Sequence, residues 1–213
     1  MIFTIGKNNK EILLSKFKKR FDIQNFGLFR NSEINTKFVK KIKNKRKIKV
    51  LVMPEGIIDE INILLDFCKK NDDKEIQFTF RLHPIFLKNK KFNLLIKRIG
   101  RNIKISKNKL DFDIKNNEYL LYRGTASVIN VVNSGLIPIY LNKKNQFSID
   151  PLFKVNKNHI VNYNNKLLQF IKNSHNKKKF IKEGMKIKKF SENFYDKPKF
   201  STLLKFLKKI KWK

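Results

Sequence analysis

Short apolar runs alternate with amphipathic segments through the central part of the chain. Residues 48–53 and 119–122 are almost entirely apolar, and apolar residues alternate with polar ones from 76 to 80. Between residues 57 and 68, apolar side chains recur at helical spacing. The pattern therefore predicts strands that alternate with helices. This order is typical of an α/β fold with a parallel sheet and right-handed crossovers.

Weaker patterns predict the remaining elements. Short strands are expected at 103–105 and 160–161, and residues 111–117 form either a polar connection or a short helix. Helices are expected at 92–99, 166–173, 177–190 and 201–212. Residues 48–190 are thus predicted to form one Rossmann-like parallel sheet with flanking helices.

Residues 119–141 form the clearest single unit of the pattern. One apolar run stops at Arg123 and Gly124, Thr125 and Ser127 then open a helix, and a second apolar run follows that helix. Such a unit is typical of two parallel strands joined by a crossover helix. Its first turn brings backbone N–H groups, hydroxyls and a guanidinium to a helix N-terminus, which suits an anion.

The composition limits the classes of function. The chain has 213 residues, of which 41% are hydrophobic, and this suits one domain with an appendage. A single cysteine, Cys68, excludes an internal disulfide and a cysteine-rich metal site, and it fits a reducing compartment. No apolar run approaches the roughly 20 residues of a membrane-spanning helix, and we expect no secretory signal.

The net charge of +33 favours anionic partners such as nucleotides, acidic glycans and anionic lipid. However, the lysines are spread along the chain, and Lys, Asn, Ile and Phe are all abundant, as an AT-rich coding sequence would produce. The basic run at 40–49 is expected to be a solvated linker. Nucleic acid is therefore not the expected main partner, although a basic nucleic-acid-binding protein is kept as a second alternative.

The two ends of the chain are expected to form separate segments. Residues 1–47 are predicted to be an N-terminal appendage, and residues 191–213 a basic amphipathic helix. In this helix the lysines lie opposite an apolar face formed by Phe200, Leu203, Leu204, Leu207 and Ile210. The helix either lies on an anionic membrane surface or packs on the domain with its lysines in solvent, and the sequence leaves both open.

Polar groups follow three of the predicted strands, at the edge where the carboxyl ends of parallel strands meet. They are Glu55 and Gly56 after the first strand, Arg81, His83 and Pro84 after the second, and Arg123, Gly124, Thr125 and Ser127 after the fourth. Two guanidinium groups, an imidazole and a helix N-terminus together favour a phosphate or diphosphate. His83 is the candidate catalytic residue, because an imidazole can donate a proton to a leaving phosphate.

Each of these residues also has a structural interpretation, although their convergence on one edge favours a functional site. Arg81 can pair with a surface acid, Glu55 can complement a helix dipole, Thr125 can cap a helix, and His83 can be purely structural. Asp150, after the fifth strand, either binds a ribose or sugar hydroxyl or caps its loop. No residues have the spacing of a metal site, so neither a metal nor another cofactor is expected.

The order of PEG, RLHP, LYRGTAS and GLIPIYL along the chain resembles the C-terminal, nucleotide-sugar-binding domain of GT-B glycosyltransferases. It is most similar to enzymes of surface carbohydrate synthesis, such as sialyltransferases and capsule or Kdo transferases that use CMP-sugars. The resemblance covers residues 48–152. It implies that His83 and Pro84 form an HP motif on the donor phosphate, with His83 assisting its departure. It also implies that Thr125 and Ser127 form the hydroxyl-rich phosphate turn.

The resemblance implies partners as well as a fold. GT-B enzymes have two Rossmann-like domains, whereas only 47 residues precede the first strand here, so residues 1–47 are either an appendage or a remnant of an acceptor domain. The expected partners are a CMP-sugar or other nucleotide-sugar donor, a glycan or glycolipid acceptor, and a separate acceptor domain. The expected location is cytoplasmic, peripheral on the inner face of the membrane. The main alternative is a non-catalytic or split partner subunit of such an enzyme.

Overall fold

The computed structural model describes residues 1–17, 21–28, 47–87, 100–146, 148–174 and 177–209. The strands are β1 (Ile2–Thr4), β2 (Ile23–Asn25), β3 (Ile48–Pro54), β4 (Ile76–Phe80), β5 (Ile103–Ile105), β6 (Tyr119–Arg123), β7 (Ile137–Asn142) and β8 (Ile160–Asn162). The helices are α1 (Lys7–Phe17), α2 (Ile58–Lys70), α3 (Pro84–Leu87), α4 (Leu110–Asn116), α5 (Val128–Asn133), α6 (Leu167–Ser174), α7 (Lys178–Glu192) and α8 (Phe200–Lys209). The predicted helix at 92–99, most of the basic run at 40–49, and residues 210–213 lie outside the described residues.

Six parallel strands form the central sheet, in the order β5-β4-β3-β6-β7-β8. Within the central sheet, β3 is the first strand along the chain, and β4 and β5 follow on one side of it. The chain then crosses to the other side of β3, where it forms β6, β7 and β8. The direction of travel therefore reverses between β3 and β6. In doubly wound sheets, ligands bind in the crevice beyond the carboxyl ends of the strands at such a reversal. The predicted fold class, a Rossmann-like α/β sheet with flanking helices, is confirmed.

Helices cover both faces of the sheet, so the chain has two apolar clusters. On one face, Leu121 of β6 belongs to the same buried cluster as Leu64 of α2. On the other face, Leu120 and Tyr122 belong to a cluster with Ile129 of α5. Because β6 lies between β3 and β7 with helices above and below, all of its residues are buried. This explains why its sequence is a continuous apolar run ending in one arginine.

The N-terminal segment folds as a small unit in which α1 connects the parallel strands β1 and β2. This two-stranded sheet is separate from the central sheet. The end of the chain packs on it: Leu28 N donates to Asp196 O at 2.9 Å, and the rings of Phe3 and Phe206 meet edge to face at 5.2 Å. The final helix therefore contacts the N-terminal unit. The division of the chain at residues 47 and 190 stays a proposal.

The last helix was predicted to lie on a membrane surface or to pack on the domain. Its Phe206 packs on the N-terminal unit, while Phe200, Leu204 and Leu207 stay exposed. Within the described part of the chain, no helix combines the length and the apolar character needed to cross a membrane.

Candidate functional site

The ends of three neighbouring strands define the candidate site. Pro54 of β3 pairs in register with Arg123 of β6, and Val52 of β3 pairs with Phe80 at the end of β4. The segments that leave these strands therefore start side by side at one edge of the sheet. Since β3 and β6 flank the reversal of strand order, this edge is the place where the fold favours a ligand.

Glu55 and Gly124 meet across the reversal point. Gly124 has a φ angle of +69°, a left-handed conformation that favours glycine. A Cβ atom at this position would overlap the Glu55 carboxylate and lie 3.5 Å from Ser148 Oγ. The pKa of the Glu55 carboxyl is raised above its usual value, mainly by partial burial and to a smaller extent by the charge of Glu60. The crevice thus contains a carboxyl group that holds its proton more tightly than a free one.

His83 lies beside Gly56, as the predicted convergence of strands required. A Cβ atom at residue 56 would be 3.5 Å from His83 Cγ, so the imidazole packs on the turn that leaves β3. Ile85 N donates to His83 Nδ1 at 3.4 Å, which places the proton of a neutral ring on Nε2. The side chain is exposed, and Pro84 is also exposed and begins α3. His83 is therefore accessible to a ligand at this edge.

Arg81 is partly exposed and pairs with an acid. Its Nη1 donates to Asp113 Oδ2 at 2.7 Å and to Asn108 O at 2.6 Å. Asp113 is buried and also accepts a hydrogen bond from Ser106 Oγ at 2.7 Å. The guanidinium therefore fixes the segment before α4 to the end of β4. Arg81 thus pairs with an acid, as its structural interpretation predicted, but this acid, Asp113, is buried and not at the surface.

Arg123 was expected to neutralise a bound phosphate, and the structure corrects this expectation. Its side chain is fully buried. Because side chains alternate between the two faces of a strand, Arg123 lies on the same face of β6 as Leu121, which is the face where α2 packs. The Nε atom donates to Glu60 Oε2 at 2.5 Å, and Nη1 donates to Leu141 O at 3.1 Å. A guanidinium held inside the core by a carboxylate is not available to a ligand in the crevice.

Thr125 and Ser127 follow Gly124 directly, but the helix begins later than predicted. Ser127 precedes the first residue of α5, and its side chain makes no capping hydrogen bond. Thr125 Oγ1 instead accepts a hydrogen bond from Ser127 N at 3.4 Å. Thr125 is buried and Ser127 is exposed. Both residues thus belong to the turn that follows Gly124 and precedes a six-residue helix.

Asp150 caps its own loop. Its Oδ1 accepts from Tyr122 OH and Leu152 N, both at 2.8 Å, and its Oδ2 accepts from Asn156 Nδ2 at 2.9 Å. The residue is buried, and burial raises the pKa of the carboxyl although these hydrogen bonds oppose the shift. Because both oxygens already have partners inside the protein, the loop-capping alternative accounts for Asp150 better than a ribose contact does.

The sequence did not indicate Ser148. Its Oγ is buried near Gly124, and among the described residues it has no hydrogen-bond partner. Tyr140 OH donates to the Ser148 carbonyl at 3.3 Å, which holds this part of the loop against β7. A single serine in a polar loop carries no sequence signal, so only the fold could reveal it. The described residues contain no group of three or more His, Cys, Asp and Glu side chains placed to hold a metal ion.

Comparison with solved structures supports this fold. No family model and no curated protein sequence matches the chain. Among solved structures, TarM has a TM-score of 0.52 and 18% identity, over 97% of this chain and 42% of that one. The co-structure of S. aureus MnaA with UDP has a TM-score of 0.54 and 14% identity, over 99% of this chain and 60% of that one.

Spinosyn rhamnosyltransferase SpnG in complex with thymidine diphosphate has a TM-score of 0.51 and 10% identity, over 89% of this chain and 53% of that one. The chain has a GT-B-type Rossmann-like fold. The GT-B part of the predicted resemblance is confirmed at the level of the fold, while the sialyltransferase or Kdo-transferase subgroup stays a prediction. This chain spans only 42% to 60% of the length of these three structures.

Proposed function

We propose that the chain is the donor-binding half of a GT-B glycosyltransferase that uses a nucleotide-sugar. The observation that carries the proposal is the pair of contacts at the carboxyl ends of β3 and β6, where Glu55 meets Gly124 and His83 packs on Gly56. Two proteins with this fold were solved with UDP and with thymidine diphosphate, which supports a nucleotide ligand. Ligands in such sheets bind at the strand-order reversal, where these residues lie.

The site would hold the donor phosphate mainly by neutral hydrogen-bond donors. Arg123 is buried against Glu60, and the partly exposed Arg81 is paired with Asp113, so each guanidinium already has a carboxylate partner inside the protein. The Nε2–H of His83 would donate to the phosphate oxygens. In the turn after β6, Thr125 N, Ser127 N and Val128 N already donate to Arg123 O, Thr125 Oγ1 and Thr125 O, so they would serve a phosphate only by exchanging these bonds.

As a neutral ring, His83 would stabilise the departing phosphate by donating a hydrogen bond from Nε2–H. Proton transfer to the phosphate, which is general acid catalysis, would use the imidazolium form, in which Nδ1 no longer accepts from Ile85 N.

Glu55 has a different role in this proposal from the one predicted. A carboxylate repels phosphate, so contact with the phosphate itself would be unfavourable. A carboxyl oxygen readily accepts a hydrogen bond from a hydroxyl group. We therefore assign Glu55, together with the unpartnered Ser148 Oγ, to a hydroxyl of the ribose or of the donor sugar. The close approach of Glu55 to Gly124 places this contact beside the phosphate turn.

Calorimetric titration with CMP, UDP, GDP and thymidine diphosphate tests the proposal and its finer form, a preference for CMP-sugars. The wild type should bind at least one of these nucleotides. Replacement of His83 by Ala should weaken that binding by about tenfold or more, equivalent to about 1.4 kcal/mol. His83→Gln, which keeps a donor, should retain part of the affinity. Lys104→Ala, at an exposed site in the edge strand β5, is the control and should change nothing.

A folded wild-type protein that binds none of the four nucleotides would contradict the proposal. If His83→Ala binds nucleotide as tightly as wild type, His83 does not contact the nucleotide, although the proposal that the protein binds a nucleotide would stand. The proposed reaction is transfer of the sugar to a surface polysaccharide or glycolipid, and radiolabelled donor with a lipid-linked glycan acceptor would measure it.

A second candidate, a partner subunit, is favoured by the N-terminal unit. A two-stranded parallel sheet does not normally stand alone, because parallel sheets are covered on both faces. Large apolar side chains are exposed on this unit and on the last helix; they are Met1, Phe3, Ile5, Phe17, Phe21, Phe200, Leu204 and Leu207. We propose that an acceptor domain covers this surface.

Co-purification with a candidate acceptor domain tests this second proposal. Leu204→Asp should abolish the association, because it places a charge in the contact. Phe112→Asp is the matched control, since Phe112 is similarly exposed but lies on α4. If Leu204→Asp instead removes binding to anionic vesicles and leaves co-purification intact, the surface belongs to a membrane contact on the inner face, as the amphipathic sequence also allows.

A further inference from the structure

An apolar cavity of about 420 Å³ lies between α7 and the segment that joins α5 to β7. Residues 135–138, at the start of β7, form one of its walls. The cavity is therefore at the amino end of β7, whereas the candidate nucleotide site is at the carboxyl ends of the strands. Its volume falls within the range of roughly 300–1,000 Å³ that is usual for small-molecule sites.

The floor of the cavity offers no free polar group to a ligand. The ring of His159 stacks on that of Phe180, with their centroids 3.7 Å apart. Its Nδ1 lies 3.1 Å from Pro138 O, and its Nε2 lies 3.0 Å from Phe180 O. Both ring nitrogens thus already face backbone carbonyl groups. A ligand would meet the flat, uncharged surface of an aromatic pair, which favours an alkyl group over a polar one.

One side of α7 forms the second wall and the mouth. Ile181, Gly184, Met185 and Lys188 all line the cavity, and their spacing places them on one helical face. The apolar side chains of Ile181 and Met185 are 48% and 68% exposed, so they extend the apolar lining to the surface. A Cβ atom at residue 184 would lie 3.7 Å from His159 Cε1, an ordinary contact. Packing therefore does not require glycine there, and its presence leaves the cavity open.

The mouth of the cavity is positively charged. Lys188 is the cation in the lining, and no acid among the described residues forms an ion pair with it. The helix α7 carries six lysines and two glutamates. One of these glutamates, Glu183, is buried and accepts hydrogen bonds from Lys157 N and Asn158 N, and it forms none of the ion pairs among the described residues. An anionic group is therefore favoured at Lys188.

We propose that this cavity binds a single-chain anionic amphiphile. The alkyl chain would lie on the His159–Phe180 pair between α7 and the start of β7, and a phosphate or carboxylate head would be held by Lys188. The same chemistry occurs in a free alkyl phosphate or fatty acid and in a lipid of an anionic membrane. The site is independent of the proposed nucleotide site, since it lies at the other edge of the sheet.

Calorimetry with decyl phosphate below its micelle concentration tests the cavity directly. Wild type should bind it more tightly than decyl maltoside, which has the same chain without a charge, and should not bind inorganic phosphate. Gly184→Leu, which fills the cavity, should weaken binding by about tenfold or more. Lys188→Gln should remove the preference for the charged head. Lys186→Gln is the control, because Lys186 is on the same helix but outside the lining.

Met185→Glu is a second test of the cavity, which is needed because Gly184→Leu could lose binding through a folding defect. Its side chain is largely exposed, so the variant should fold while its charge repels the anionic head. Equal binding of decyl phosphate and decyl maltoside, or binding that survives both Gly184→Leu and Met185→Glu, would overturn the proposal. Binding to phosphatidylglycerol vesicles without binding to monomeric decyl phosphate would also overturn it, because a surface contact needs no cavity. If the protein binds both phosphatidylglycerol vesicles and monomeric decyl phosphate, a membrane lipid is a source of the ligand.

Nucleotide titration of Gly184→Leu separates this site from the proposed catalytic one. The affinity for the nucleotide that wild type binds should be unchanged in this variant. A parallel loss of both ligands would show that Gly184→Leu perturbs the whole fold, and the Met185→Glu result would then decide the proposal.

Discussion

The Nε atom of Arg123 donates to the Glu60 carboxylate at 2.5 Å, and this ion pair ties the end of β6 to the first turn of α2. The guanidinium is fully buried, so its charge is neutralised inside the core. The nearby Glu60 charge also contributes to the raised pKa of Glu55 at the crevice. The pair is therefore an internal contact next to the candidate site.

Removal of the Arg123 charge should destabilise the fold. Arg123→Met leaves the Glu60 carboxylate without its partner in a largely buried position, and breaking such a pair costs about 3–5 kcal/mol. Urea unfolding followed by circular dichroism measures the free energy of unfolding. The double variant Arg123→Met with Glu60→Met should recover most of the loss, because an apolar pair of similar size often replaces a buried ion pair at little cost.

These variants also distinguish a structural role from a phosphate contact. The double variant should keep its nucleotide affinity, because neither side chain faces the crevice. If Arg123→Met were as stable as wild type but bound nucleotide much more weakly, the guanidinium would have to reach the ligand, and the internal ion pair would be the wrong description.

Asp150 should matter for stability and not for donor binding. Asp150→Ala removes the acceptor of Tyr122 OH, Leu152 N and Asn156 Nδ2. Asn156 Nδ2 still donates to Tyr122 OH, whereas the Tyr122 hydroxyl and Leu152 N lose their acceptor. The expected loss in the free energy of unfolding is about 2–3 kcal/mol. Calorimetry at a temperature where the variant is folded should give the nucleotide affinity of wild type. A large loss of affinity with little loss of stability would restore the ribose-binding interpretation.

Gly124 and Gly56 form a matched pair for testing the crevice. Gly124→Ala places a Cβ atom at a φ angle of +69° and against the Glu55 carboxylate, so both backbone strain and overlap oppose it. The expected cost is about 1–3 kcal/mol. Gly56→Ala places its Cβ atom 3.5 Å from His83 Cγ, an ordinary contact, and should change stability by less than about 0.5 kcal/mol.

Thermal unfolding of the Gly124 and Gly56 variants side by side gives the comparison. Equal effects at the two positions would show that Glu55 does not approach Gly124 as closely as the structure indicates. In that case the assignment of Glu55 to a donor hydroxyl would lose its geometric basis.

The strands of the central sheet could be predicted because both of its faces are covered. A strand buried on two sides needs apolar residues throughout, and the run at 48–53 corresponds closely to β3 (Ile48–Pro54). The alternating residues at 76–80 correspond to β4 (Ile76–Phe80), in which the polar Gln77 and Thr79 are half-buried. The reversal of strand order could be expected only because doubly wound α/β folds generally have one; no residue pattern in the chain indicates where it occurs. The small N-terminal sheet was missed, because strands of three residues carry almost no periodic signal.

The position of the candidate residues at the ends of the strands was predictable, but their side-chain contacts were not. Parallel topology alone brings His83, Glu55 and Gly124 to one edge. The partner of Arg81 is Asp113, which is 32 residues away in sequence and belongs to a different element, so no local pattern reveals it. For Arg123, alternation along β6 was uninformative because both faces of that strand are apolar. Only the packing of α2 determines where its guanidinium lies.

His159 gives the protein a pH-dependent stability with a definite sign. Burial lowers the pKa of its imidazole, and the hydrogen bonds to Phe180 O and Pro138 O and the charge of Glu183 oppose this shift only in part. The folded protein therefore binds this proton less tightly than the unfolded chain, in which the pKa is near 6.5. Stability is fully present above that value and is lost as the pH falls below it.

Urea unfolding of wild type and His159→Gln between about pH 7.5 and pH 5 measures this dependence. One proton contributes a slope of at most about 1.4 kcal/mol per pH unit, and the variant should lack this part of the wild-type slope. The comparison of slopes is independent of any constant loss of stability in the variant. Parallel curves for the two proteins would show that His159 has the same pKa in both states. A wild type that gains stability relative to the variant on acidification would show instead that the two carbonyl groups hold the ring as an imidazolium.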